Sequence, residues 1–283
     1  MLTIDHNGAR IAYADTGSGE TVLLLHSSAS SSAQWRSLTE TLQNSHRVLA
    51  PDLYGYGETD PWPGQGPFSL SDEAALVNAI LARSSGPIHL VGHSYGGAVA
   101  LRFAVQQPER LRTLTLIEPV AFHLIRDTPP DGADSALFPE VMEIAAVVWN
   151  ATASGDYRGA MARFVEYWNG HDAWAQTKPE VRAAIARRMP KVALDFWATT
   201  TESTPRTAYR RIAVPTLVLR GARSPQPTRC IAELVADCLP EGRLHTIDGA
   251  GHMLPLTHKE AVIAAVAEHL LRSMAAGPRP VAA

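Results

Sequence analysis

The sequence predicts a protein of the α/β class, with a mostly parallel β-sheet flanked by helices and an inserted helical cap. Two observations predict this class. Apolar runs of strand length alternate with helical patterns over residues 21–117, and the alternation resumes over residues 214–274. Residues 120–210, in between, show helical patterns and no recognisable strand. A helical block that interrupts an α/β alternation indicates an insertion, and a chain of 283 residues does not require a second independent domain.

The first half of the chain supplies a hairpin, four further strands and three helices. Asn7-Gly8, a strong two-residue turn signal, predicts a hairpin over residues 4–13. Apolar runs bounded by turn residues predict strands at residues 21–26, 46–50, 87–92 and 111–117. Periodic patterns predict helices at about residues 32–43, 71–83 and 95–107.

The second half returns to strands only after the helical block. Strands are predicted at residues 214–219 and 243–247, and helices at about residues 228–238 and 259–274. We therefore expect a core domain made of residues 1–119 and 211–274, with a cap at residues 120–210. The tail at residues 275–283 is mostly small residues and proline, and we expect it to be disordered.

Composition excludes several classes of function. The net charge is −3 and no Lys/Arg run occurs, which argues against nucleic acid or an anionic membrane as a partner. No apolar run reaches the roughly 18 residues of a membrane span, and the N-terminus lacks the pattern of a signal peptide. The two cysteines, Cys230 and Cys238, lie in one predicted helix, where a disulfide between them is sterically poor. We expect a cytoplasmic protein, and the sequence leaves its oligomeric state open.

A serine in a glycine-rich turn is the central chemical motif. Gly92-His93-Ser94-Tyr95-Gly96 follows a predicted strand and opens a predicted helix. A serine held in such a sharp turn needs small neighbours, because the strand and the helix pack closely. The helix N-terminus also stabilises developing negative charge. The alternative is a plain glycine-rich turn, but the placement between strand and helix favours Ser94 as a nucleophile.

A candidate base lies near the other end of the chain. A serine hydroxyl is a weak nucleophile and needs an adjacent base. Gly249-Ala250-Gly251-His252 follows the last predicted strand, so this histidine can reach the same edge of the sheet as Ser94. A loop histidine is more often a surface residue, yet the order of nucleophile before histidine favours His252 as the base.

Over nearly its full length the chain resembles the α/β-hydrolase family. His26-Ser27-Ser28 stands where that family has a His-Gly-x turn, and residues 51–57 are similar to its Asp-x-x-Gly-x-Gly loop. The spacing from His26 to Trp35 resembles the haloalkane dehalogenases, which use an aspartate nucleophile and hold halide with a Trp and an Asn. This chain has Ser94, Tyr95 and Ser28 at those places. The resemblance therefore implies the scaffold and not the dehalogenase reaction.

The acid that orients the histidine is not at the usual position of the family. Most relatives carry it in a Gly-x-x-Asp turn, but here Gly221-Ala222-Arg223 is followed by Ser224. Some dehalogenase-like relatives place the acid one strand earlier, where this chain has Glu118, 24 residues after Ser94. Glu118 is therefore the predicted acid, with a solvated strand-end charge as the alternative. Asp248 is a rival, and a role as a turn residue suits it better.

An oxyanion hole needs two backbone N–H donors aimed at the developing charge. We expect one from Tyr95, next to the nucleophile. The resemblance implies that the other comes from Ser28, although the serine run at residues 27–32 is also compatible with an ordinary polar loop.

The sequence thus predicts a serine hydrolase that cleaves a small or medium hydrophobic carboxylic ester without cofactor or metal. A small-molecule ester is the expected partner. The same residues serve carbon–carbon bond, lactone or thioester hydrolysis, and a non-catalytic ligand-binding protein is the alternative of a different class. Four of the six tryptophans fall in the predicted cap, and we expect one or two of them to face the cleft. They are Trp149, Trp168, Trp174 and Trp197.

Overall fold

The structure is a computed structural model that describes residues 1–82, 84–127 and 136–275, with side chains through residue 272. The predicted tail at residues 275–283 lies outside this part, apart from Ala275. Arg83, the predicted end of one helix, also lies outside it. Among the described residues, no helix combines the length and the apolar composition that crossing a membrane requires.

One eight-stranded sheet organises the described residues, in the order β1-β2-β4-β3-β5-β6-β7-β8. The pairs β1–β2 and β2–β4 are antiparallel, and all the other pairs are parallel. This confirms the predicted fold class. The strands are β1 (Leu2–His6), β2 (Ala9–Thr16), β3 (Thr21–Leu25), β4 (Arg47–Pro51), β5 (Ile88–His93), β6 (Leu111–Ile117), β7 (Thr216–Gly221) and β8 (Gly242–Ile247).

The helices of the sheet domain follow the predicted order. The predicted hairpin turns at Asn7 and Gly8, both with positive φ, as a two-residue turn requires. The predicted helix at residues 32–43 is in fact a 3-10 turn, Ser32–Trp35, followed by a short α-helix. These helices are α1 (Arg36–Leu42), α2 (Leu70–Leu81), α3 (Tyr95–Gln106), α10 (Gln226–Cys238), α11 (Leu254–Thr257) and α12 (Lys259–Ala275), with a 3-10 turn at Pro108–Arg110.

Helices cover both faces of the sheet. Successive side chains of a strand point to opposite faces, and β3 shows the consequence: Val22 and Leu24 join one apolar cluster, whereas Leu23 and Leu25 join the other. The cluster of Val22 is completed by α1 and α12, and the cluster of Leu23 by α2, α3 and α10. Full burial of each such aliphatic side chain stabilises the fold by about 1.5–3 kcal/mol.

A helical insertion separates β6 from β7, and the described residues in it form no strand. Its helices pack on one another; for example, the rings of Phe164 and Phe196 meet edge to face with centroids 6.1 Å apart. The division into a core and a cap at residues 120–210 stays a prediction. The insertion contains α4 (His123–Arg126), α5 (Leu137–Ser154), α6 (Tyr157–Asn169), α7 (Ala173–Gln176), α8 (Pro179–Ala186), α9 (Met189–Thr200) and a 3-10 turn at Arg206–Arg211.

Candidate active site

The turn between β5 and α3 holds Ser94 in a strained conformation. Its backbone has φ 55° and ψ −115°, a region that non-glycine residues rarely adopt. A Cβ on Gly92 would lie 2.3 Å from the Gly96 carbonyl oxygen, and one on Gly96 would lie 2.3 Å from the Leu25 carbonyl oxygen. Both glycines are therefore needed for the close approach of backbones around the serine, as the motif predicts.

His252 contacts the serine hydroxyl. Its Nε2 lies 2.9 Å from Ser94 Oγ. The residue follows β8 and is buried, as is Ser94. The indole of Trp168, from α6 of the insertion, lies against the imidazole, with ring centroids 4.3 Å apart and planes tilted by 31°. The insertion thus closes over the histidine.

Glu118 contacts the other nitrogen of the imidazole. Its Oε2 lies 3.1 Å from His252 Nδ1, and its Oε1 accepts a 2.6 Å hydrogen bond from the Gly221 backbone N–H. The residue directly follows β6, has φ 49° and is fully buried. A carboxylate that accepts from Nδ1–H leaves Nε2 as an acceptor facing the Ser94 hydroxyl.

The two alternative positions for an acid differ from Glu118 in their surroundings. Asp248 is exposed, and His252 Nδ1 has the Glu118 carboxylate as its partner. Ser224, where most relatives carry aspartate, is buried, and its hydroxyl has no hydrogen-bond partner among the described residues. The structure therefore brings together Ser94, His252 and Glu118.

A second hydrogen-bonded chain, which sequence reasoning missed, runs beneath the histidine. His93 Nε2 lies 2.9 Å from the His252 carbonyl oxygen, and His93 Nδ1 lies 3.1 Å from Gln34 Nε2. Gln34 Oε1 in turn accepts a 2.8 Å bond from Ser27 Oγ. Burial and the neighbouring His252 hold the pKa of His93 well below its usual range, so its ring stays neutral. This chain fixes the loop of His252 relative to the loop after β3.

The predicted oxyanion donors lie on the other side of Ser94. Ser28, Ser94 and Tyr95 line one narrow cavity of about 20 Å³. The structure gives no acceptor for the N–H of Ser28 or of Tyr95 among the described residues. Ser28 Oγ donates a 2.5 Å hydrogen bond to Asp195 Oδ2, which ties the loop after β3 to α9.

Asp195 belongs to a buried charged cluster that the sequence analysis did not identify. Lys191 Nζ contacts Asp195 Oδ1 and lies 3.1 Å from Glu73 Oε1. Asp195 Oδ2 accepts a 2.6 Å bond from Tyr56 Oη as well. Burial raises the pKa of both carboxyl groups above their ordinary values, and the nearby Lys191 ammonium offsets part of that rise. The i,i+4 spacing of Lys191 and Asp195 was the available signal, but such pairs are common on exposed helix surfaces.

A wide cavity of about 510 Å³ opens beside Ser94 and His252. No Asp, Glu, Lys or Arg of the described residues lines it. Of the four tryptophans in the insertion, Trp168 lines both the narrow and the wide cavity. Trp197 is exposed. Trp149 donates its indole N–H to the Ala193 carbonyl oxygen. Within the described part of the chain, no group of three or more His, Cys, Asp or Glu residues could hold a metal ion.

The eight-stranded sheet, the strained turn at Ser94 and the loop of His252 together define an α/β hydrolase. Residues 20–259 match the family described as alpha/beta hydrolase fold, and the chain belongs to that family. This confirms the resemblance read from the sequence.

Relatives with different substrates resemble the chain to a similar degree. It is 26% identical over 259 residues to a pimeloyl-[acyl-carrier protein] methyl ester esterase of Nitrosomonas europaea, covering 90% of this chain and 97% of that one. It is 27% identical to a 2-hydroxy-6-oxo-6-phenylhexa-2,4-dienoate hydrolase of Burkholderia cepacia, covering 92% of each. A thermophilic esterase from Thermogutta terrifontis superposes with a TM-score of 0.73 at 26% identity, covering 96% and 97% of the two chains. In two other curated relatives the aligned region spans only 41% and 32% of the relative's length.

Proposed function

We propose that this chain is a serine hydrolase that cleaves a neutral, hydrophobic carboxylic ester through an acyl-enzyme. The observation that carries the proposal is the hydrogen-bonded row Ser94–His252–Glu118, which opens into a cavity without charged side chains. The esterase relatives support the same reading.

The proposed mechanism follows from the contacts. His252 Nε2 takes the Ser94 proton as Oγ attacks the ester carbonyl carbon, and the buried Glu118 carboxylate stabilises the imidazolium. The N–H groups of Tyr95 and Ser28 hold the developing oxyanion. His252 then gives the proton to the leaving alcohol oxygen. In the second half, His252 activates water, which releases the acid and restores Ser94.

Carbon–carbon bond hydrolysis is the second candidate, because the Burkholderia cepacia relative carries a dienoate in its name. A dienoate is a carboxylate, and binding a buried anion requires a cation or several donors. The wide cavity presents no Lys or Arg among the described residues, although neutral donors such as Asn169 and Gln176 line it. We therefore place a neutral ester or lactone first, and the substrate panel below decides between the two candidates. The intact row of three residues also favours an enzyme over a non-catalytic binding protein.

We also propose a cytoplasmic setting. The chain has two cysteines, Cys230 and Cys238, and both lie in α10, so it lacks the disulfide framework typical of small secreted proteins. The expected partner is the small-molecule substrate alone.

A substrate panel tests the proposed function. Purified protein is assayed with 4-nitrophenyl acetate, an aliphatic ester, a γ-lactone, an acetyl thioester and a dienone acid. We expect the neutral esters to react fastest and Ser94→Ala to lower kcat by about 10³-fold or more. Ser224→Ala is the matched control, because it removes a buried hydroxyl without a partner from a neighbouring loop. Faster turnover of the dienone acid favours the second candidate, and an active Ser94→Ala protein contradicts both.

A further inference from the structure

We infer that the cleft sorts the two halves of an ester by size: a short acyl group enters the narrow cavity, and a large apolar alcohol fills the wide one. The inference rests on the proposed function, whose substrate class it makes more specific. It is carried by the position of His252 relative to the two cavities beside Ser94.

The position of His252 fixes which half of the ester goes where. In the tetrahedral intermediate, the carbonyl carbon is bonded to Ser94 Oγ and its oxygen faces the N–H groups of Ser28 and Tyr95. The leaving alcohol oxygen must lie within hydrogen-bond reach of His252 Nε2, because that nitrogen returns the proton. The alcohol therefore extends along the cavity that His252 lines, and the acyl chain extends into the other one.

Only one of the two cavities borders the histidine. The wide cavity is lined by His252, Ser94 and Ser28. The narrow cavity is lined by Ser94, Ser28 and Tyr95, the oxyanion side of the serine, and not by His252. The wide cavity is accordingly the alcohol pocket and the narrow one the acyl pocket.

The acyl pocket has room for few atoms. Its volume is about 20 Å³, whereas a cavity needs about 10–15 Å³ to hold a single water. Aromatic rings wall it: the buried Phe122 and Phe196 stack in parallel with centroids 6.1 Å apart, and the partly buried Phe164 meets Phe196 edge to face. Because the oxyanion occupies part of the same cavity, the space that remains suits an acetyl group.

A buried carboxylate in the wall of the acyl pocket resists its extension. It belongs to Asp195 and is held by Lys191, Tyr56 Oη and Ser28 Oγ. A longer alkyl chain would have to displace a buried, fully hydrogen-bonded charge. That displacement costs far more than the added methylene groups gain.

The alcohol pocket is larger and mostly apolar. Its volume is about 510 Å³. Val181 of α8 and Leu256 of α11 line it and are 43% and 51% exposed. Met161, Phe164 and Ile185 add to its apolar lining, so a large hydrophobic alcohol is the expected leaving group.

Two isomeric esters test the inference directly. Hexyl acetate and ethyl hexanoate have the same atoms and nearly the same hydrophobicity, but their long chains lie on opposite sides of the ester. We expect kcat/KM for hexyl acetate to exceed that for ethyl hexanoate by at least about 10-fold. An equal or reversed ratio overturns the inference while the proposed function stands. If the wild-type protein hydrolyses neither ester, the proposed function fails and the inference with it.

Variants assign the preference to the two cavities. Phe196→Leu, or the larger truncation Phe122→Ala, widens the acyl pocket and should shift the ratio toward ethyl hexanoate by several-fold. Leu256→Asp places a charge at the rim of the alcohol pocket and should lower kcat/KM for hexyl acetate more than for ethyl hexanoate. Leu271→Asp is the matched control, since Leu271 is an exposed leucine on α12 that lines neither cavity. Unchanged ratios in folded Phe196→Leu and Leu256→Asp proteins overturn the assignment.

Discussion

At the scale of residues, the two proposed catalytic side chains that flank His252 both depend on strained backbone. Ser94 and Glu118 have φ values of 55° and 49°, and each directly follows one of two neighbouring strands, β5 and β6. Each is held by the next strand: the Ser94 N–H donates to the Ile117 carbonyl at 2.9 Å, and the Glu118 N–H donates to the Leu219 carbonyl at 2.8 Å. Such strain persists only where the surroundings enforce it, and it concentrates at functional sites.

Glu118→Gln tests the role of the acid. The amide keeps the size of the side chain, but its NH2 can donate to Nδ1 and so favour the tautomer with the proton on Nε2, which cannot accept from Ser94. We expect kcat to fall by about 10⁴-fold with the fold retained. Asp248→Asn is the control, because Asp248 is exposed. Steady-state kinetics measure the loss in kcat for each variant. A larger loss in Asp248→Asn than in Glu118→Gln contradicts the assignment of Glu118.

The three residues that the sequence predicts from local motifs lie within hydrogen-bond distance of one another, and their catalytic roles stay a proposal. Ser94 was predicted from its glycine neighbours, His252 from its loop, and Glu118 from the serine at position 224. Sequence reasoning missed Glu73, because the role of that buried carboxylate depends on α9, which is more than 100 residues away in sequence. Contacts between distant elements leave no local pattern.

At the scale of elements, α9 joins the insertion to the sheet domain through buried charges. Lys191 from this helix contacts Glu73 of α2, and its ammonium lies 4.5 Å from the centroid of the Tyr95 ring. Asp195, one turn later, holds Ser28. The donor loop of the proposed oxyanion hole is thus attached to the insertion, which links the placement of α9 to catalysis.

Lys191→Met should destabilise the fold strongly. It leaves the Glu73 and Asp195 carboxylates buried without their shared cation, a loss of about 3–5 kcal/mol at neutral pH. The triple variant Lys191→Met/Glu73→Gln/Asp195→Asn removes the uncompensated charges and should recover part of this loss. Urea unfolding measures both. A Lys191→Met protein as stable as the wild type would show that the cluster contributes nothing to stability.

Elements were predicted more reliably than their ends. The start of the predicted helix at residues 32–43 folds as a 3-10 turn, in which Gln34 is buried and contacts Ser27 and His93. The insertion was visible as a break in the strand pattern, but the sequence could not show which of its tryptophans faces the cleft. Trp168 lies against His252 because α6 packs over the loop that follows β8.

At the scale of the whole molecule, buried histidines make stability depend on pH. Burial lowers the pKa of His26, His123 and His269 from 6.5 to about 4. Burial also holds the pKa of His93 well below its ordinary value. In the unfolded chain these imidazoles return to their ordinary pKa, so between pH 6.5 and about 4 the unfolded state binds more protons. The raised pKa values of Glu73 and Asp195 act in the opposite direction and offset part of this effect.

The free energy of unfolding should therefore fall as pH decreases from 6.5 toward 4. Each buried histidine contributes up to about 1.4 kcal/mol per pH unit to the slope. Denaturant titrations at half-unit pH steps measure it. His269→Gln should reduce the slope of the unfolding free energy against pH by the contribution of one histidine. His171→Gln is the control, since the His171 side chain is 92% exposed. Stability that stays flat across this window would contradict the neutral, buried state of these rings.

The central claim is that Ser94 is an activated nucleophile, and covalent labelling tests it most directly. A fluorophosphonate reacts only with a serine activated by its neighbours, and peptide mapping by mass spectrometry locates the adduct. We expect one phosphonyl group per chain, on the peptide that contains Ser94. The same label should appear in the Ser224→Ala control and be absent from Ser94→Ala. Absence of the adduct from the wild-type protein, or its attachment to another residue, would contradict the account.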